Sequence, residues 1–152
     1  EVAVHVTDPA VGLCAPGDPM RLRQVVDNLL SNALRYSPVD QPVEVRIGAL
    51  PAVGEEPGWA TIVVVDHGAG MPPEVATRAF ERFYRADAAR SRAEGGSGLG
   101  LSIVAAIVAA HGGRVDLDTA VGRGCQFTVW LPLQSGRGSH TGQGASGTLA
   151  GS

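Results

Sequence analysis

The run Ala60-Thr61-Ile62-Val63-Val64-Val65-Asp66 most narrows what this chain can become. Five successive β-branched residues resist a helix and favour an extended backbone, and so continuous an apolar run suits a buried central strand. The chain must then supply neighbouring strands and a covering layer. Val2 to Val6 and Pro42 to Leu50 read as strands. The segment Asp18 to Tyr36 repeats at helical spacing through Leu22, Val25, Val26, Leu29, Leu30 and Ala33, with Asp18 and Pro19 as N-cap and first helical residue. A short helix is expected over Pro72 to Ala79. A second long helix runs from about Leu99 to Ala110 and stops at His111-Gly112-Gly113, where His111 is expected to favour the helix C-terminus electrostatically. Two closing strands follow, near Arg114 to Asp118 and Cys125 to Leu133. The order β, α, β, β, α, α, β, β predicts an α/β chain with one mixed or antiparallel sheet and its helices on one face.

The 152 residues, 44% apolar and 18% charged, are enough for one domain with its own core, placed at residues 1–134. Residues 135–152 hold too little apolar surface to offset ordering and read as a flexible Gly/Ser-rich tail. Leu50 to Gly58 reads as a hairpin loop. A net charge of −3 gives no bulk basic field for nucleic acid or an anionic membrane, so any anion site is local. All twelve basic side chains are Arg, which excludes the P-loop and every mechanism built on a lysine amine. Cys14 and Cys125 stand far apart with no C-x-x-C, so neither a disulfide framework nor a zinc module is indicated and a reduced setting is expected. No apolar stretch approaches the roughly 20 residues of a membrane span. The start at Glu1, without a basic and apolar leader, is read as a piece of something longer.

Four clusters can carry chemistry. Gly95-Gly96-Ser97-Gly98-Leu99-Gly100 opens an apolar helix and aims backbone N–H groups and a helix dipole at whatever lies above it, although a plain hinge has the same composition. The spelling misses both the dinucleotide fingerprint and the nucleophile elbow. Asn28 and Asn32 lie four apart on one helix face, followed by Arg35 and Tyr36. Asparagine is a poor helix-interior residue, but its carbonyl oxygen is a neutral hard ligand for a magnesium ion that also holds phosphates. Asp66-His67-Gly68-Ala69-Gly70 puts a carboxylate at a strand end. An ionised carboxylate only accepts hydrogen bonds, which suits the exocyclic amine of adenine and not the keto oxygen of guanine. Gly122-Arg123-Gly124 precedes the final strand as a tight turn.

Together these stretches resemble the motif set of one family. Asn28-Leu29-Leu30-Ser31-Asn32-Ala33-Leu34-Arg35-Tyr36 resembles the N box, Asp66-His67-Gly68-Ala69-Gly70-Met71 the G1 box, and Phe80-Glu81-Arg82-Phe83-Tyr84-Arg85 the F box. Gly96-Ser97-Gly98-Leu99-Gly100-Leu101 resembles the G2 box and Gly122-Arg123-Gly124 the third glycine box. The chain resembles the ATP-binding catalytic domain of bacterial sensor histidine kinases, within the GHKL ATPases, from Val2 to Leu133. The resemblance implies a two-layer sandwich, a mixed five-stranded sheet packed on three helices in the Bergerat-type fold, and implies bound ATP with Mg²⁺. Asn32 would ligate the metal, Asn28 and Arg35 would attend the phosphates, and Tyr36 would lie against the nucleotide. Asp66 would accept from adenine while Gly68 and Gly70 make room for the base. Gly96, Gly98, Leu99, Gly100 and Leu101 would line the triphosphate. Residues 86–94 correspond to a mobile lid over the nucleotide.

Two positions depart from the pattern: His67 stands in the base pocket where Asn or Asp is usual, and Cys125 replaces a frequent Thr or Ser. The phosphoacceptor His is absent here, since the family carries it on an upstream dimerisation domain, with a response regulator downstream. The resemblance thus implies a monomeric fragment of a homodimeric parent at the cytoplasmic membrane, this domain being inside the cell. A GHKL ATPase or serine kinase of another branch, and a non-catalytic nucleotide-binding module, stay open at this point.

Overall fold

The computed structural model describes residues 2–6, 15–54, 58–84 and 98–133. Cys14, Gly96, the expected lid at 86–94, His140 and the expected tail at 135–152 lie outside them. In chain order the elements are β1 (Val2–Val6), α1 (Pro19–Tyr36), β2 (Val43–Leu50), β3 (Trp59–Asp66), α2 (Pro73–Ala76), α3 (Gly100–Ala110), β4 (Arg114–Thr119) and β5 (Cys125–Pro132). The five strands form one sheet ordered β1-β2-β3-β5-β4. β1 pairs parallel with β2, and the remaining pairs are antiparallel, which makes the sheet mixed.

The branched run is the middle strand, held on both edges by β2 and β5. Its register sets which residues face the helices: Val64 and Asp66 are buried there, beside Phe127 and Cys125 of β5 and Val45 of β2. Leu29 and Ala33 of α1 and Val104 and Val108 of α3 complete this core. The opposite face differs from the expectation of a fully buried strand, because Val63 and Val65 are only half-buried. Part of that face is shielded by a layer of its own, in which the Arg114 guanidinium lies 4.5 Å from the Trp130 ring centre and 5.1 Å from that of Trp59. Trp130 Nε1 donates to Asp116 Oδ2 at 2.7 Å.

α1 begins as expected, with Asp18 Oδ1 accepting from the N–H groups of Met20 at 2.9 Å and Arg21 at 3.2 Å. α2 is shorter than expected. After Ala76 the chain tightens into turns, with Arg78 N–H donating to Val75 O and Ala79 N–H to Ala76 O, both spaced i to i−3. His111 does more than its expected role. Its Nε2 accepts from Asp18 N–H at 3.0 Å and its Nδ1 lies 2.8 Å from Ile107 O. With Nε2 accepting, Nδ1 is the ring atom that donates to Ile107 O, a carbonyl of the last turn of α3. His111 therefore meets the last turn of α3 as expected and also ties it to the start of α1 by hydrogen bonding.

Candidate functional site

The middle strand delivers Asp66 to its end with only 1% of its surface exposed. A buried carboxylate must be hydrogen-bonded. Asp66 Oδ1 accepts from Gly68 N–H at 2.9 Å and from Cys125 N–H at 3.3 Å. Both donors use the same oxygen, which leaves Oδ2 as the one neither of them engages.

The glycines around this carboxylate are required by the fold itself. A side chain at Gly68 would collide with the carbonyl oxygen of Tyr36, at the end of α1. One at Gly70 would strike Ala120 O, and one at Gly124 would strike Asp66 O. Gly70 and Gly124 also hold positive φ values of 66° and 71°. The loop after β3 and the β4–β5 hairpin thus approach backbone to backbone, closed by Gly122 N–H donating to Ala69 O at 2.7 Å. The contact that α1 makes through Tyr36 brings the helix end to the same loop.

Farther back on α1, Asn28 faces the opening of α3, with Asn32 one turn along the same helix. Asn28 Oδ1 lies 3.7 Å from where a side chain at Gly100 would begin. The N-cap residue Leu99 offers no side-chain cap to α3, and the first-turn N–H groups from Gly100 to Ser102 are those that a helix leaves without an intrahelical acceptor. Asn28 Nδ2 and Asn32 Nδ2 are both buried without a hydrogen-bond partner among the described residues. Ser37 Oγ, at the end of α1, is orphaned likewise. Unpaired buried donors each cost about 1–3 kcal/mol. Two of them on one helix face, one beside the start of α3, form a lining that the oxygens of an anion such as a phosphate would satisfy. The eight steps from Asn28 to Tyr36 span about 12 Å of helix, so the anion-attracting end and the Asp66 loop stand an extended ligand's length apart. Arg35 and Tyr36 are exposed, Tyr36 by 51%. Gly98 adopts φ 68°, and its carbonyl accepts from Phe83 N–H at 3.1 Å, which joins the F-box stretch to the start of α3.

One expectation needs revision. His67 does not stand in the base pocket: its Nε2 lies 3.4 Å from Glu44 Oε1, on the sheet face opposite Asp66. There the Arg46 guanidinium, and after it His67, holds the Glu44 carboxyl below its ordinary range. The two phenylalanines of the F box lie in different surroundings. Phe80 packs edge-on against Phe127 at 6.4 Å, whereas Phe83 is 71% exposed with φ 62°. The hairpin's part in holding Asp66 was missed in the sequence. Cys125 N–H is a backbone donor far along the chain, and only the spelling Gly-x-Gly before a strand hinted at a close approach.

The sequence matches the histidine kinase-, DNA gyrase B-, and HSP90-like ATPase family over residues 17–135. It is 44% identical over 117 residues to the sensor histidine kinase WalK of Bacillus subtilis, covering 77% of this chain and 18% of that one. It is 39% identical to the sensor protein kinase WalK of Staphylococcus aureus, covering 77% and 27%. The chain therefore spans well under a third of the length of these relatives. Among solved structures it is similar to the mycobacterial sensor histidine kinase MprB, with a TM-score of 0.69 and 35% identity over 88% of this chain and 81% of that one. It is also similar to full-length ShkA in complex with AMPPNP, with a TM-score of 0.72 and 31% identity over 88% and 25%. The open sheet, the end-of-strand carboxylate and the asparagine-lined helix gap thus coincide with the matched sequence. The chain belongs to the histidine kinase-, DNA gyrase B-, and HSP90-like ATPase family, as an ATP-binding domain of the sensor histidine kinase type.

Proposed function

We propose that this domain binds ATP with Mg²⁺ and presents the γ-phosphate to a histidine on a separate dimerisation domain of its parent protein, for relay to a response regulator. The observation that carries this reading is the pair of orphaned amides, Asn28 Nδ2 and Asn32 Nδ2, one turn apart on α1, with Asn28 beside the start of α3. The AMPPNP complex of the related ShkA supports an adenine nucleotide as the ligand. Asp66 accepts the exocyclic amine of the base, with Gly68 and Gly70 admitting the ring. Tyr36 lies along the nucleotide, and Asn28, Arg35 and the loop of Gly96, Gly98, Leu99, Gly100 and Leu101 attend the phosphates.

The donor set fits a magnesium ion. A nucleotide-bound Mg²⁺ needs only one or two protein oxygens, and the neutral carbonyl oxygen of Asn32 meets that need. Bound there, the ion would neutralise phosphate charge during transfer. The chain's own contribution is to position the triphosphate and exclude water from it. The parent acts as a homodimer at the cytoplasmic membrane, and this fragment is monomeric inside the cell; no helix among the described residues is long and apolar enough to cross a membrane.

The test supplies this domain with ATP labelled on the γ-phosphate and a dimerisation domain from a matched relative. Label is expected on the acceptor histidine only when both proteins are present, and not with Asn32→Ala. Label on this domain alone, or undiminished transfer by the variant, would contradict the proposal.

A further inference from the structure

The hydrogen bonds that hold Asp66 continue beyond it. Cys125 N–H belongs to the peptide unit whose carbonyl is Gly124 O. That carbonyl accepts from Thr119 Oγ1 at 2.7 Å, and the same hydroxyl oxygen accepts from Met71 N–H at 3.0 Å. A carbonyl oxygen can only accept, so the hydroxyl donates to Gly124 O, while Cys125 Sγ at 3.4 Å is a longer contact of the same oxygen. The series therefore runs one way: Met71 N–H to Thr119, Thr119 O–H to Gly124 O, and across the planar peptide Cys125 N–H to Asp66 Oδ1. A planar peptide cannot tilt at its carbonyl without moving its N–H. Hydrogen bonds in series within a low-dielectric interior also strengthen one another. The torsion that turns an aspartate carboxylate is broad and shallow, so its orientation must be set by what the oxygens are bound to.

We infer that Thr119 is a positioning residue for base selection. By fixing the Gly124–Cys125 peptide it pins Asp66 Oδ1 and sets the direction in which Oδ2 meets the exocyclic amine of adenine. Its hydroxyl also binds the first residue after the Asp66 loop, Met71, to the root of the hairpin, 48 positions away in sequence. Without it, only the pairing of β3 with β5 aims the Cys125 N–H at the carboxylate, and the shorter Gly68 N–H bond carries more of the hold against rotation. This inference rests on the reading of Asp66 as the adenine acceptor.

Calorimetric titration of the wild type, T119V and T119S with ATP and with inosine triphosphate tests it. Inosine carries a keto oxygen where adenine carries the amine, and otherwise keeps the ribose and phosphates. T119V is expected to lower ATP affinity about tenfold, the scale of one charge-assisted hydrogen bond, and to leave inosine triphosphate unmoved. T119S, which keeps the hydroxyl, is expected to restore the wild-type ratio. If T119V does not fold, T119A is measured in its place, with the same ratio as readout. A hydroxyl that only braced the hairpin would change both affinities together or neither, and that result overturns the inference, as does failure of T119S to rescue. A wild type that treats the two nucleotides alike would instead remove the reading of Asp66 on which the inference stands.

Discussion

An orphaned amide in a protein interior weakens the fold that holds it, and that gives the asparagines a measurable signature. Asn32 Nδ2 is buried with no partner among the described residues. Asn32→Ala removes a desolvated donor, so the unliganded variant should be as stable as the wild type or more stable by about 1 kcal/mol, while ATP affinity falls at least about tenfold. Thermal unfolding with and without nucleotide separates the two effects; a large loss of unliganded stability would show that the amide serves the fold. Cys125 makes a second prediction at this scale. Burial pushes its thiol up to about 11, with the Thr119 hydroxyl acting the other way and the Asp66 carboxylate reinforcing the rise. Below the ordinary thiol range both folded and unfolded chains keep the proton, so stability is unaffected. As pH rises from about 9 toward 11 the unfolded chain releases the proton first, and stability falls. Melting curves across that range should slope less steeply for Cys125→Ala than for the wild type, and equal slopes would show that the thiol is not buried in solution.

Between elements, the β3 loop and the β4–β5 hairpin meet so closely that two glycines with similar torsions should respond differently. Gly70 and Gly122 have φ of 66° and 78°, but a side chain at Gly122 meets nothing within 4 Å, whereas one at Gly70 strikes Ala120 O. Gly122→Ala should cost about 1 kcal/mol, the strain of a left-handed backbone alone. Gly70→Ala should cost on the order of 3 kcal/mol, because strain and collision add. Equal losses in denaturant titrations would mean that the hairpin yields. Local signals made the elements themselves legible: the Asp18-Pro19 start of α1, the branched run of β3 and the glycine stop after α3 all stand where the sequence put them. Contacts between distant residues left no such trace. His111 reaches Asp18, 93 positions away, and His67 turns to Glu44 across the sheet, because the partners were set by packing and not by neighbours in sequence.

At the scale of the molecule, one helix joins two chemically distinct ends. α1 carries Asn28 to the start of α3, with Asn32 one turn on, and its last carbonyl packs on the Gly68 loop that follows Asp66. The residues of this arrangement were legible because each has an unusual chemistry for its place: asparagines within an amphipathic helix, a carboxylate ending an apolar strand, and glycines opening a helix. The bonds that orient Asp66 were not, since they run through backbone groups that any sequence possesses. The central claim is that this arrangement selects an adenine nucleotide. Calorimetric titration of the wild type and of Asp66→Asn with ATP and GTP, each with and without Mg²⁺, tests it most directly. Binding of ATP that strengthens with magnesium, is lost in the variant and is absent for GTP is the result expected. Equal binding of ATP and GTP by the wild type, or unchanged ATP binding by the variant, would contradict it.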